Sequence, residues 1–116
     1  MILQYYKRFK HLRIAQSYVK DIEILLYLLD NYNHYEAINT VSHLTTKYED
    51  GINKIGAYFN ARTVVKGEIN ELYQDHTSSD MIDDIEYLIN CIIIIAVVNL
   101  KIEPNIETVI KKLNYD

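Results

Sequence analysis

The sequence predicts an all-α protein, an antiparallel bundle of four or five helices, and three observations carry that prediction. Apolar residues recur three and four positions apart along most of the chain, the spacing that gathers them on one face of a helix. Only three glycines and one proline occur in 116 residues, too few for the many tight turns of an all-β chain. Two polar clusters, Asp30-Asn31-Tyr32-Asn33 and His76-Thr77-Ser78-Ser79, interrupt the periodic stretches and end in residues that cap helices well. The length suits one domain spanning residues 1–116.

Residues 2–30 carry Tyr5, Tyr6, Phe9, Leu12, Ile14, Tyr18, Ile22, Leu25, Leu26 and Leu29 at helical spacing, with one break expected near Gln16. Asn33 caps a second helix, with Glu36 three residues on in capping-box order. That helix runs to about Asn60 through Ile38, Val41, Leu44, Ile52 and Ile55, bent or split where Gly51 and Gly56 weaken it. A third helix covers Thr63 to about Asp75, and a fourth covers roughly Asp80 to Leu100. Lys101 to Asn105 then connects to a short last helix, with Pro104 in its first turn and its end near Tyr115.

Composition excludes several classes. A net charge of −4 and a pI near 5.5 speak against a general nucleic-acid binder. Cys91 has no second cysteine to pair with, so the expected location is a reducing, cytoplasmic one, and Cys91 reads as a buried structural thiol. The basic start, Met1 to Arg13, has no apolar run followed by a small-residue cleavage site. Leu88 to Leu100 is apolar but spans 13 residues and is broken by Asn90 and Asn99, short of the roughly 20 that cross a bilayer. No membrane partner is therefore expected. A helix apolar on nearly all sides in so small a chain predicts a homo-oligomer joined through residues 88–100.

The chemistry-bearing residues are acidic. Glu68 and Glu71 stand three apart and share a face of the third helix, and Asp80 and Asp83 do the same at the start of the fourth. A short loop makes these helices neighbours, so the pairs can face each other, and four carboxylates at close quarters call for a divalent cation. Hard oxygen ligands in that number suit Mg²⁺ or Mn²⁺. A plainer reading stands beside it: acids in a first turn complement the helix dipole, and Glu68 and Glu71 beside Lys66 form a solvated face.

Residues 62–116 resemble the MazG-like, all-α nucleotide pyrophosphohydrolases. The family's hallmark is Glu-Glu-x-x-Glu on one helix and Glu-x-x-Asp on the next, leading into an apolar stretch. This chain reads Gly67-Glu68-Ile-Asn-Glu71 and then Asp80-Met-Ile-Asp83, followed by the apolar helix, a Leu-x-Ile-x-Pro connector and a closing Lys111-Lys112-Leu-Asn114-Tyr. The resemblance implies metal coordination by Glu68, Glu71, Asp80 and Asp83, with Glu68 and Glu71 as the catalytic carboxylates and Mg²⁺ or Mn²⁺ as the cofactor. It implies that a nucleoside triphosphate is cleaved to monophosphate and pyrophosphate, with Lys66, Lys112 and Asn114 contacting phosphate or nucleotide. The chain departs from the pattern at Gly67 and Asp80, where the family has glutamate, and in its eight-residue spacer between Glu71 and Asp80. A diverged member, with or without retained catalysis, fits that pattern, and residues 1–60 exceed the family's usual leading helix.

Other constellations are weaker. His11, His34, His43 and His76 form no i, i+4 pair and have no cysteine partner, which speaks against zinc. The eleven tyrosines read as core residues with hydroxyls reaching the surface rather than as a base-stacking pocket. The cluster Lys7-Arg8-Phe9-Lys10-His11-Leu12-Arg13 reads as a solvated helix face, with contact to an anionic partner as the alternative. No arginine is followed by a histidine at the spacing of HEPN-type ribonucleases. The rival to an enzyme is a non-enzymatic α-helical protein–protein interaction module, such as a small viral or phage effector.

Overall fold

The computed structural model describes residues 2–59 and 78–114, and over these the protein is all-α. The helices are α1 (Ile2–Phe9), α2 (Gln16–Asp30), α3 (His34–Lys47), α4 (Glu49–Phe59), α5 (Ser78–Asn99) and α6 (Ile106–Asn114), with a single 3₁₀ turn at Arg13–Ala15. The helix expected over 63–75, with Lys66, Gly67, Glu68 and Glu71, lies outside the described residues.

α5 organises the others. No charged residue occurs between Glu86 and Lys101, and Cys91 to Val97 are buried at seven consecutive positions, which no one-sided contact could achieve. α1, α2, α3, α4 and α6 all pack against it. The Cα radius of gyration is 13.7 Å, against about 13.4 Å for a compact chain of this length. Within one chain the stretch 88–100 is largely covered: only Asn90 and Asn99 are exposed. Among the described residues, no helix is long and apolar enough to cross a membrane.

The first two helical stretches are each cut in two, for different reasons. Residues 10–15 leave the helix between Phe9 and Ala15, both fully buried, and Gln16 holds the corner closed. Its Nε2 donates to the carbonyls of Lys10 and Leu12 at 3.0 and 3.1 Å, satisfying acceptors that the broken helix strands. The second break falls at Tyr48, three residues before the glycine expected to cause it. Gly51 serves the packing instead. A Cβ there would lie 2.6 Å from Ile95 Cγ1, so its absence lets α4 approach α5 at backbone distance.

The caps are local and match the residues that make them. Asn33 Oδ1 accepts from the Glu36 N–H at 3.1 Å, as its spacing predicts. At α6 the cap is Asn105, whose Oδ1 accepts from the Thr108 N–H at 2.7 Å, so Pro104 stands before the cap rather than in the first turn. α5 ends in a Schellman motif: Ile102 N–H donates to Val97 O and Lys101 N–H to Val98 O, each at 3.0 Å. Lys101 takes the left-handed position, at φ 58°, which costs a side-chain-bearing residue about 1–2 kcal/mol. Lys101→Gly is expected to stabilise the fold by about 1 kcal/mol and raise the melting temperature by a few degrees. A calorimetric scan checks it, and an unchanged or lower midpoint would contradict this account of the cap.

Candidate functional site

The N-terminal half of α5 turns Met81, Ile85 and Leu88 into the core, and so turns Asp80, Asp83, Glu86 and Asn90 outward. Asp80 and Asp83 therefore share one exposed face, as their spacing requires. The carboxylates expected opposite them, Glu68 and Glu71, lie outside the described residues, as does Lys66. Among the described residues, no group of three or more His, Cys, Asp and Glu side chains is placed to hold a metal ion. Asp80 and Asp83 thus stand as two exposed carboxylates on one helix face.

Lys112 is found in a different setting. Its ammonium sits 2.5 Å from Glu103 Oε1, and the Tyr5 hydroxyl donates to the same oxygen at 3.1 Å. The bond from Lys112, helped by Tyr5 and the charge of Arg8, holds the Glu103 carboxyl below its ordinary range, and Glu103 in turn raises Lys112. Glu103 follows the C-terminal end of α5, whereas Asp83 lies 16 residues before Asn99, about 24 Å along the helix axis. The Lys112 ammonium is therefore held toward the opposite end of α5 from the aspartates. Asn114 closes α6, and its side chain is outside the described residues.

A second polar centre went unread in the sequence. Asp21 is 7% exposed on the core side of α2, and its Oδ2 accepts from Lys47 Nζ at 2.6 Å and from the Tyr48 hydroxyl at 2.5 Å. Burial first, then the bond to Asp21, pushes Tyr48 ionisation well above the ordinary tyrosine range. The Tyr18 ring lies 6.1 Å from that of Tyr48, and Asn99 donates to the Tyr18 hydroxyl at 3.0 Å. Tyr18, Lys47, Tyr48 and Asn99 line a cleft of about 310 Å³ together with Asp50. The network ties α2 to the α3–α4 junction and to the end of α5. The available signal was positional: in the series Tyr18, Asp21, Leu25, Leu28, an acid occupies the apolar stripe.

Cys91 is fully buried, and burial lifts its thiol to about 12 against a small opposing effect of a bond with Tyr87, so it stays a neutral thiol. His34 pairs with the Tyr32 hydroxyl at 2.7 Å, and His43 borders a second cleft between α2 and α3 with Asp21 and Ile24. No family model, curated protein or solved structure matches the chain.

Proposed function

We propose that the chain is a diverged MazG-like nucleoside triphosphate pyrophosphohydrolase, its bundle arranged as in that family. The observation that supports the reading is the outward acidic face of Asp80 and Asp83 at the start of a helix that runs into the buried stretch Cys91 to Val97, spaced as in the family motif with aspartate in place of its glutamate. A divalent cation held by Glu68, Glu71, Asp80 and Asp83 would supply charge neutralisation on the triphosphate and a more acidic bound water. The chain's own part is to fix two carboxylates on one rigid helix face and to anchor that face through Met81, Ile85 and Leu88. Lys66 and Asn114 are the phosphate or nucleotide contacts in this reading, and Lys112 joins them only by leaving Glu103.

The test is pyrophosphate release from a panel of ribo- and deoxyribonucleoside triphosphates with Mg²⁺ or Mn²⁺. Glu71→Ala and Asp83→Ala are each expected to cut release by more than the roughly 10–100-fold that losing an outer partner of a metal ligand costs. Asp83 is exposed, so its replacement is expected to leave stability within about 0.5 kcal/mol. Folded protein that releases no pyrophosphate from any triphosphate would sink the reading.

One observation favours the interaction module instead. Ile24, Tyr27 and Tyr35 expose large side chains on α2 and α3. In that reading a protein partner meets this surface, and residues 88–100 contribute only what α5 leaves uncovered.

A further inference from the structure

The geometry points to the corner between α1 and α2, residues 7–14, as a docking surface for an anionic lipid bilayer. Charge along the chain is strongly segregated. Residues 1–20 hold Lys7, Arg8, Lys10, Arg13 and Lys20 and no acid, so they carry +5, while residues 21–116 carry −9. Four of those five cations fall within seven positions, and all four are exposed. Two large aliphatic side chains stand among them: Leu12 is 41% exposed and Ile14 is 73% exposed.

The corner is also rigid. Phe9 and Ala15, fully buried, anchor its two sides, and Gln16 pins the carbonyls of Lys10 and Leu12. Leu12 and Ile14 are therefore held out in water by the fold, at the apolar cost that such exposure carries. An aliphatic pair reaching the acyl boundary, with cations at the level of the headgroups, is the pairing of two weak signals that surface binding needs. The two clefts lie elsewhere and involve no residue of 7–14. A projecting corner suits a deformable, flat partner better than a peptide that needs a groove. Phe9 is buried and the exposed ring of this segment is the His11 imidazole, so no phenyl, phenol or indole face is offered there to stack on nucleic-acid bases. The mode needs no spanning helix, and Glu103, whose carboxyl feels the charge of Arg8, is paired with Lys112.

The experiment is co-sedimentation of the whole chain with vesicles of phosphatidylcholine alone and of phosphatidylcholine with about one-third phosphatidylserine. Binding is expected to the second only, and to fall steeply as salt shortens the Debye length from about 10 Å toward 3 Å. Each cation near such a surface multiplies partitioning about fivefold, so Lys10→Gln with Arg13→Gln is expected to lower it about 25-fold. Ile14→Ser is expected to lower it several-fold without changing the melting temperature. The chain has no tryptophan, so Ile14→Trp supplies a single reporter whose emission shifts to the blue on anionic vesicles. No binding to the phosphatidylserine vesicles, or binding indifferent to Ile14→Ser, would overturn the proposal. So would equal affinity for polyglutamate or DNA, which would show attraction to any polyanion.

Discussion

Ile93→Glu is expected to abolish the folded state. Ile93 is fully buried, within the run of seven consecutive buried residues of α5 from Cys91 to Val97. A carboxylate there has no ion partner on that helix between Glu86 and Lys101. Burying it without a partner costs several kcal/mol, against a total stability of about 5–15 kcal/mol for a domain of this kind. Far-ultraviolet circular dichroism and a thermal melt read the outcome, with loss of the cooperative transition expected. Ile93→Val is the graded companion, at about 0.5–1.5 kcal/mol. A folded, cooperatively melting Ile93→Glu monomer would mean that α5 is an interface between chains and not the core of one. The pair of variants therefore also weighs the expected homo-oligomer, because an interface helix tolerates a charge in the monomer and a core helix does not.

Asp21→Ala is expected to cost about 1–3 kcal/mol, chiefly because the Tyr48 hydroxyl loses its acceptor. Lys47 contributes less, since its side chain is 45% exposed and can turn to water. The same substitution carries a spectroscopic signature. Tyr48 holds its proton more tightly folded than unfolded, so its contribution to stability is complete below the ordinary tyrosine range near pH 10 and is lost as pH rises above it. An alkaline titration of tyrosinate absorbance is expected to leave Tyr48 protonated above pH 10 while the wild type stays folded. Removing the negative charge and the acceptor together lowers Tyr48 toward the ordinary value, leaving burial and a smaller effect of Tyr18 to hold it raised. Identical titration curves for wild type and Asp21→Ala, with both folded, would remove Asp21 from this network.

Particular residues show how much was legible in the sequence. The break before Gln16, the Asn33 cap and the long apolar helix ending at Asn99 could all be read, because each depends on neighbours within one or two turns. The split of the second stretch was anticipated but misplaced. Glycine weakness pointed to Gly51, whereas the chain turns at Tyr48, whose hydroxyl reaches Asp21, 27 residues away. Of the candidate site, the shared outward face of Asp80 and Asp83 followed from helical spacing alone. The engagement of Lys112 by Glu103 and Tyr5 did not, since Tyr5 is 98 residues from Glu103 and no local pattern joins them.

Local pattern was enough to read the chain as helical, to place the break near Gln16 and the Asn33 cap, and to require that residues 88–100 be covered on nearly every side. Periodicity and capping are properties of neighbouring residues, and water imposes the covering. What does the covering follows from packing across the chain. Five helices of the same chain close around α5, with Gly51 giving way to Ile95 and Asp21 buried where its partners arrive from α3 and the turn after it. Apolar burial is non-directional, so a hydrophobic run states how much surface must leave water and never which surface meets it.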